Sequence, residues 1–206
     1  GKTDDEMVAL VNGGHASELS LEELLHIAEA RPAVAEAALM VAAKQYGDAR
    51  AYNNLAVAQA AAGNYEAALK SLEAAAKAGS KTQELNNNYA LVYLGMGETA
   101  KAEEYAKGAN AETKALVAAA KGEYAAASKE LGGYNAAIAQ VQDGNLAAAK
   151  KSLAGDTSAK ADYLRAVIAA KEGNLADAKA SLNSAIAKNA TLAQKAAKDI
   201  NLKALF

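Results

Sequence analysis

The sequence predicts an all-α protein built from antiparallel helical hairpins, and three observations carry that prediction. Strong helix formers dominate, with alanine at roughly three residues in ten and Leu, Glu and Lys behind it, against one proline (Pro32) and no tryptophan. A punctuated pattern also recurs, in which an alanine-rich stretch meets Gly plus Asn or Glu and then another alanine-rich stretch begins. It reads Gly63-Asn64-Tyr65, Gly97-Glu98-Thr99, Gly122-Glu123-Tyr124, Gly144-Asn145-Leu146 and Gly173-Asn174-Leu175. Finally, no segment shows a strand pattern. A core made mostly of alanine lets helix backbones approach closely, because little side chain holds them apart.

The turn pattern has a direct physical reading. Each Gly takes the left-handed conformation that ends the first helix of a hairpin. Asn64, Asn145 and Asn174 are placed to cap the second helix by accepting its orphan amide protons. Glu98 and Glu123 suit the same position through the helix dipole. Ahead of the hairpins, Asp4 to Val11 reads as a short helix ended by Gly13-Gly14. Ser20 and Glu23 then form a capping box for a second helix, and Pro32 sits in the first turn of a third, where its missing N–H costs nothing. At the other end, residues 190–198 read as a capping helix. The closing stretch is expected to fold back so that Leu202, Leu205 and Phe206 cover an apolar end.

The first two hairpins carry a longer register. Tyr52-Asn53-Asn54-Leu55-Ala56 and Asn86-Asn87-Asn88-Tyr89-Ala90 lie 34 residues apart, as do Gly63 and Gly97. In that period and those positions the chain resembles the tetratricopeptide-repeat family. Leu55-Ala56 fills the family's Leu-Gly slot, and Tyr93 its later aromatic slot. Ala68 and Ala102 stand where two helices cross, Leu72 where Phe is preferred, and Ala75 at the second small residue. The departures are Tyr52 and Asn86 in place of Trp and Ser80 in place of the terminal Pro. The resemblance implies a right-handed α-α superhelix, a solenoid of antiparallel hairpins. Later turn glycines follow at 25, 22 and 29 residues, which predicts helices of two to three turns and a tighter curl from about residue 110. The alternative is a set of generic helical pairs, since alanine-rich helices resemble one another by composition.

One continuous domain is expected, with an N-terminal helical cap at 1–47, two regular hairpins at 48–109, shortened hairpins at 110–188 and a capping helix and tail at 189–206. Glu22-Glu23-Leu24-Leu25-His26-Ile27-Ala28, then Lys44-Gln45-Tyr46-Gly47-Asp48, then the Asn-Asn-Leu-Ala hairpin follow one another in an order that narrows the resemblance. It is similar to the C-terminal helical region of Gram-negative cell-envelope proteins found beside domains of the outer-membrane-protein-A type. That resemblance implies a periplasmic or outer-membrane-associated fragment of a larger protein, with no enzymatic activity in this region. The chain begins at Gly1 without Met, so the leading Gly reads as a cloning remnant and any signal peptide or upstream domain lies outside the sequence.

Composition and motifs set the expected function classes. The formal charge is −2 with acids and bases interspersed, which is no electrostatic footprint for nucleic acid. No apolar run approaches the roughly 20 residues that span a bilayer, so direct membrane insertion is not expected. Cysteine is absent, and His15 and His26 lack a metal-ligand spacing, so neither metal nor cofactor is expected. His26, beside Leu25 and Ile27, reads as a partly buried structural imidazole. Gly1-Lys2-Thr3 lacks the upstream glycine and strand of a phosphate-binding loop, and no serine sits in a nucleophile elbow. The chain is therefore read as a non-enzyme.

Asparagines supply the binding candidates. The resemblance implies that the first helix of each hairpin lines a concave groove, where the Asn before the Leu-Gly pair binds the backbone of an extended peptide. Asn54 and Asn88 match that slot, Asn53 and Asn87 precede it by one residue, and Asn135 falls at the equivalent place before Gly144. An amide side chain both donates and accepts, so it can bond a peptide backbone of any sequence. The competing reading is that these amides cap or bridge neighbouring helices or face water. Arg50 is the one basic residue suitably placed for a family-type carboxylate clamp, and Glu84 occupies the matching place in the next hairpin, so the clamp is incomplete. Tyr65, Tyr89, Tyr93, Tyr105 and Tyr124 read as wedges between helices. The expected function is a non-catalytic interaction or scaffolding module for a protein or peptide partner. The alternative is a structural spacer in a larger envelope protein.

Overall fold

The computed structural model describes residues 1–206 and is helical throughout, with no strand. Its contacts gather the chain into two compact units, Gly1–Val117 and Ala118–Phe206. The first contains α1 (Asp4–Asn12), a 3-10 turn at Ala16–Glu18, α2 (Leu21–Ala30), α3 (Pro32–Tyr46), α4 (Ala49–Ala61), α5 (Tyr65–Lys77), α6 (Thr82–Gly95) and α7 (Thr99–Ala106). Along the chain, α8 (Ala111–Ala120) runs across the boundary. The second contains α9 (Tyr124–Glu130), α10 (Gly133–Gln142), α11 (Leu146–Ser152), α12 (Ala159–Lys171), α13 (Leu175–Lys188), α14 (Leu192–Lys198) and a 3-10 segment at Ile200–Leu205.

One turn recurs at all five Gly-Asn or Gly-Glu sites. Gly63, Gly97, Gly122, Gly144 and Gly173 all have φ between 77° and 87°, the left-handed region that a residue with a Cβ enters only with strain. At each, the glycine amide donates to the carbonyl three residues back. The next amide donates to the carbonyl five back, at 2.8–2.9 Å (Asn64 to Gln59, Glu98 to Tyr93, Glu123 to Ala118, Asn145 to Gln140, Asn174 to Ala169). This is the Schellman arrangement that satisfies helix-end carbonyls. Asn145 and Asn174 cap the following helix as expected, accepting from the amides of Ala148 and Asp177. Asn64 does not, because its side chain makes no cap bond.

The turn glycines also set a packing register. Seven residues before them stand Ala56, Ala90, Ala115, Ala137 and Ala166, and five after them Ala68, Ala102, Ala127, Ala149 and Ala178. All ten are buried. The alanine slot expected at Ala68 and Ala102 therefore extends to the α10–α11 and α12–α13 hairpins, whose helices pack directly on each other. A further pair stands four before and eight after the glycine. In α4 and α5 it is Gln59 and Ser71, whose hydroxyl donates to the Gln59 Oε1 at 2.6 Å. In α10 and α11 it is Gln140 and Ser152, bonded in the same way at 2.7 Å. In α6 and α7 it is Tyr93 and Tyr105, with ring centroids 5.6 Å apart, and Tyr105 stacks on Tyr89 as well at 4.7 Å. In α12 and α13 it is Ala169 and Ser181, which line a hollow of about 390 Å³ instead of meeting.

Within the first unit, α1 to α4 share a core containing Met7, Leu19, Leu24, Ile27, Leu39 and Leu55. Thr3 and Ser20 each form a capping box, with Glu6 and Glu23, and Pro32 opens α3 as expected. Tyr65 packs on Gly95, where an added Cβ would lie 2.6 Å from the ring. His26 departs from its expected burial. Leu24, Ile27 and Ala28 take the core-facing positions of α2, which turns the imidazole outward to bond Asp4 at 2.8 Å.

The second unit has its own core, including Leu153, Tyr163, Ile168, Leu182 and Leu202. Helices α9 and α11 have seven residues each, as the short spacing predicts, whereas α12 and α13 reach 13 and 14. Asp162 is buried and accepts from Arg165, Ser184 and Lys188. Arg165 also donates to the carbonyls of Leu153 and Asp156, pinning the loop before α12. Burial alone would raise the Asp162 pKa, but the bonds from Lys188, Ser184 and Arg165 prevail and hold it below the usual carboxylate value. At the C-terminus, Leu202 is buried as expected, but Phe206 is exposed and covers nothing. The 3-10 segment ends one residue before it.

Two stability measurements check this register. Ala68→Leu, Ala102→Leu and Ala149→Leu should each lower unfolding free energy in urea by about 1–3 kcal/mol, because a larger side chain would push apart helices in close contact. Ala169→Gln should raise it by about 1 kcal/mol by restoring the glutamine–serine bond of the other hairpins, and Ser181→Ala in the same chain should cancel the gain.

Candidate functional site

The first unit carries a groove of about 710 Å³ whose walls are α2 and α4 and whose floor is α3. It arises from two helical stripes. On α4, Arg50, Asn54, Val57, Ala58 and Ala61 recur at helical spacing on one face, and on α2 Glu22, Leu25, His26 and Glu29 do the same. They differ from the core stripes, in which Leu24 and Ile27 of α2 and Ala51, Leu55 and Ala56 of α4 face inward, and only Ala28 belongs to both. Ala35 and Leu39 of α3 close the bottom. The lining thus combines a small apolar base with polar groups at the rim, the usual composition of a recognition site.

The rim is electrostatically organised. Arg50 donates to Asp48 at 3.1 Å and to Glu22 at 2.9 Å. Asp48 first, and Glu22 second, hold its guanidinium more firmly charged than usual. The hydrogen bond from Arg50 in turn lowers the Asp48 pKa. Asp4, at the start of α1, accepts from His26 at 2.8 Å and pairs with Arg31 at 3.0 Å. Its pKa is lowered, chiefly by the His26 bond and then by Arg31. Glu29 reaches the groove with no hydrogen bond or ion pair of its own.

The asparagines expected to form a ladder separate into different environments. Asn54 is exposed and lines the groove with Arg50. Asn53 is 1% exposed. Its amide donates to the Ala49 carbonyl and the Ser80 hydroxyl, and its oxygen accepts from Asn88 at 2.9 Å. Ser80 thereby acts as a partner in a bridge linking α4 to α6. Asn87 accepts from the Asn110 amide at 2.8 Å, and Asn86 donates to the Gly108 carbonyl. These bonds tie α6 to the loop that precedes α8. Asn135 is exposed on α10, in the second unit. Arg50 and Asn54 are therefore brought together, whereas Asn53, Asn87 and Asn88 make bonds inside the first unit.

Glu22, Leu25, His26, Glu29 and Val57 were not among the sequence candidates. Their signal was present as a second stripe, Glu22-x-x-Leu25-His26-x-x-Glu29, lying beside the apolar stripe of the same helix. No protein-family model matches the sequence, and no curated protein sequence matches it significantly. No helix is long and apolar enough to cross a membrane.

The bridge separates two adjacent amides by experiment. Asn53→Ala should destabilise the protein by about 1–3 kcal/mol, since it leaves Asn88 and Ser80 without their partner. Asn54→Ala should stay within about 0.5 kcal/mol of the parent in the same urea titration.

Proposed function

We propose that this chain is a tetratricopeptide-like superhelix that acts as a non-catalytic interaction module, taking an extended peptide segment in the groove between α2 and α4. The observation that carries the reading is the pairing of an exposed amide, Asn54, with an apolar floor on a preformed helical scaffold. An extended peptide needs such a combination: a group that can both donate to and accept from its backbone, and a hollow for an alternate side chain. The recurrence of the same glycine turn with buried alanines at fixed distances on either side supports the superhelical arrangement. Arg50 borders the same groove, but its two carboxylate partners keep it from serving as an open clamp.

A second reading, a structural spacer within a larger cell-envelope protein, is favoured by the Asn53–Asn88 bridge and the Asn87 loop tie. Three of the six candidate residues have internal partners there, and a rigid rod has use for each bond. Periplasmic or outer-membrane association belongs to both readings and rests on the sequence resemblance. A displayed library of extended peptides, followed by titration of any selected peptide, distinguishes them. The module reading expects Asn54→Ala combined with Val57→Ser to weaken binding by about tenfold, with helicity and the urea midpoint unchanged. Failure to select any peptide, or equal binding by the double variant, would leave the spacer.

A further inference from the structure

The groove's charges point to the chemistry of its ligand. Resting on the interaction reading above, we infer that the segment it takes is basic and apolar: a peptide that places an aliphatic side chain over Leu39 and Val57 and a lysine or arginine against Glu29. Four carboxylates stand at the rim or bond a rim residue, namely Glu22 and Asp48 around Arg50, Asp4 beside His26, and Glu29. Two guanidiniums oppose them, Arg50 and Arg31. No lysine lines the groove, and the imidazole of His26 already donates to a carboxylate. An incoming anion would therefore compete with Glu22 and Asp48 for Arg50 and meet an excess of negative charge. An incoming cation finds Glu29 without a partner.

The geometry also sets the spacing the ligand must match. Glu29 lies one turn beyond Leu25 and two turns beyond Glu22 on α2, while Val57 and Asn54 face the groove from α4. The unpaired carboxylate is thus toward one end of the apolar floor, and the Arg50–Glu22 pair closes the other. A cation adjacent to the aliphatic residue of an extended peptide can reach Glu29 while the backbone stays beside Asn54. Like charge at that position is repelled, so discrimination arises from rejection as much as from attraction.

The test uses two blocked, extended heptapeptides with a central leucine, identical except that one flanks the leucine with lysines and the other with glutamates. A third carries the leucine beside a free C-terminal carboxylate. The inference expects the lysine peptide to bind most tightly, to weaken as salt is raised, and to lose about three- to fivefold in affinity with Glu29→Gln, as one exposed ion pair allows. Glu29 is exposed, so this variant should retain its helicity and urea midpoint. Equal or tighter binding of the glutamate or free-carboxylate peptide would overturn the cation preference while leaving the groove reading intact. So would unchanged lysine-peptide affinity in Glu29→Gln. Binding of none of the three would overturn the groove reading and the inference together.

Discussion

Two helices joined by a three-residue turn are obliged to pack on each other, and the residues seven before and five after the turn glycine determine how closely. In α4–α5, α6–α7, α10–α11 and α12–α13, which do pack on each other, both are alanine, and all eight are buried. Alanine loses no side-chain entropy in a helix and holds a neighbour at the shortest distance a Cβ allows. The glycine supplies the complementary requirement, a left-handed residue through which the chain reverses with its helix-end carbonyls satisfied. Neither condition suffices without the other. A tight turn feeding bulky helices would splay them, and small helices without the turn would have no fixed register.

Because alanine pairs make the close contact, specificity falls to the pair four before and eight after the glycine. That pair is Gln59–Ser71 and Gln140–Ser152 in two hairpins, stacked Tyr93–Tyr105 in a third, and the unfilled Ala169–Ser181 in a fourth. A buried amide satisfied by one hydroxyl locks the rotation of one helix against the other, because the bond is lost on a small turn about the axis. Stacked tyrosines do the same through shape. The Ala169 hairpin lacks both devices, and its helices are instead held by the Asp162 network at their far end.

Local chemistry was the part most readable in the sequence. Turn glycines, the Ser20 capping box, Pro32 and the alanine slots depend on a few neighbouring residues, and each is found where the pattern places it. What could not be read was which of two adjacent residues faces out. Asn53 and Asn54 have the same chemistry and the same repeat position within one residue, yet a step of 100° around the helix buries one and exposes the other. Asn53 falls on the buried face of α4 with Leu55 and Ala56, where Ser80 and the α6 residue Asn88 supply its partners. His26 was misplaced for the same reason. Its neighbours Leu25 and Ile27 suggested burial, but the core stripe of α2 runs through Leu24, Ile27 and Ala28.

The same geometry explains why an open groove can coexist with such a repetitive core. A helix of this size has room for two stripes, one bound to the hairpin register and one outside it. On α4 the register claims Leu55, Ala56 and Gln59, each fixed by its distance from Gly63. Arg50, Asn54, Val57 and Ala61 lie on the other face, and the turn geometry places no demand on them. Changes there alter charge and shape in the groove without disturbing the alanine contacts, and changes in the register disturb the fold without reaching the groove. The carboxylate excess at the rim is therefore not a consequence of how the hairpins pack. Glu22 and Glu29 lie on the stripe of α2 that the core leaves free.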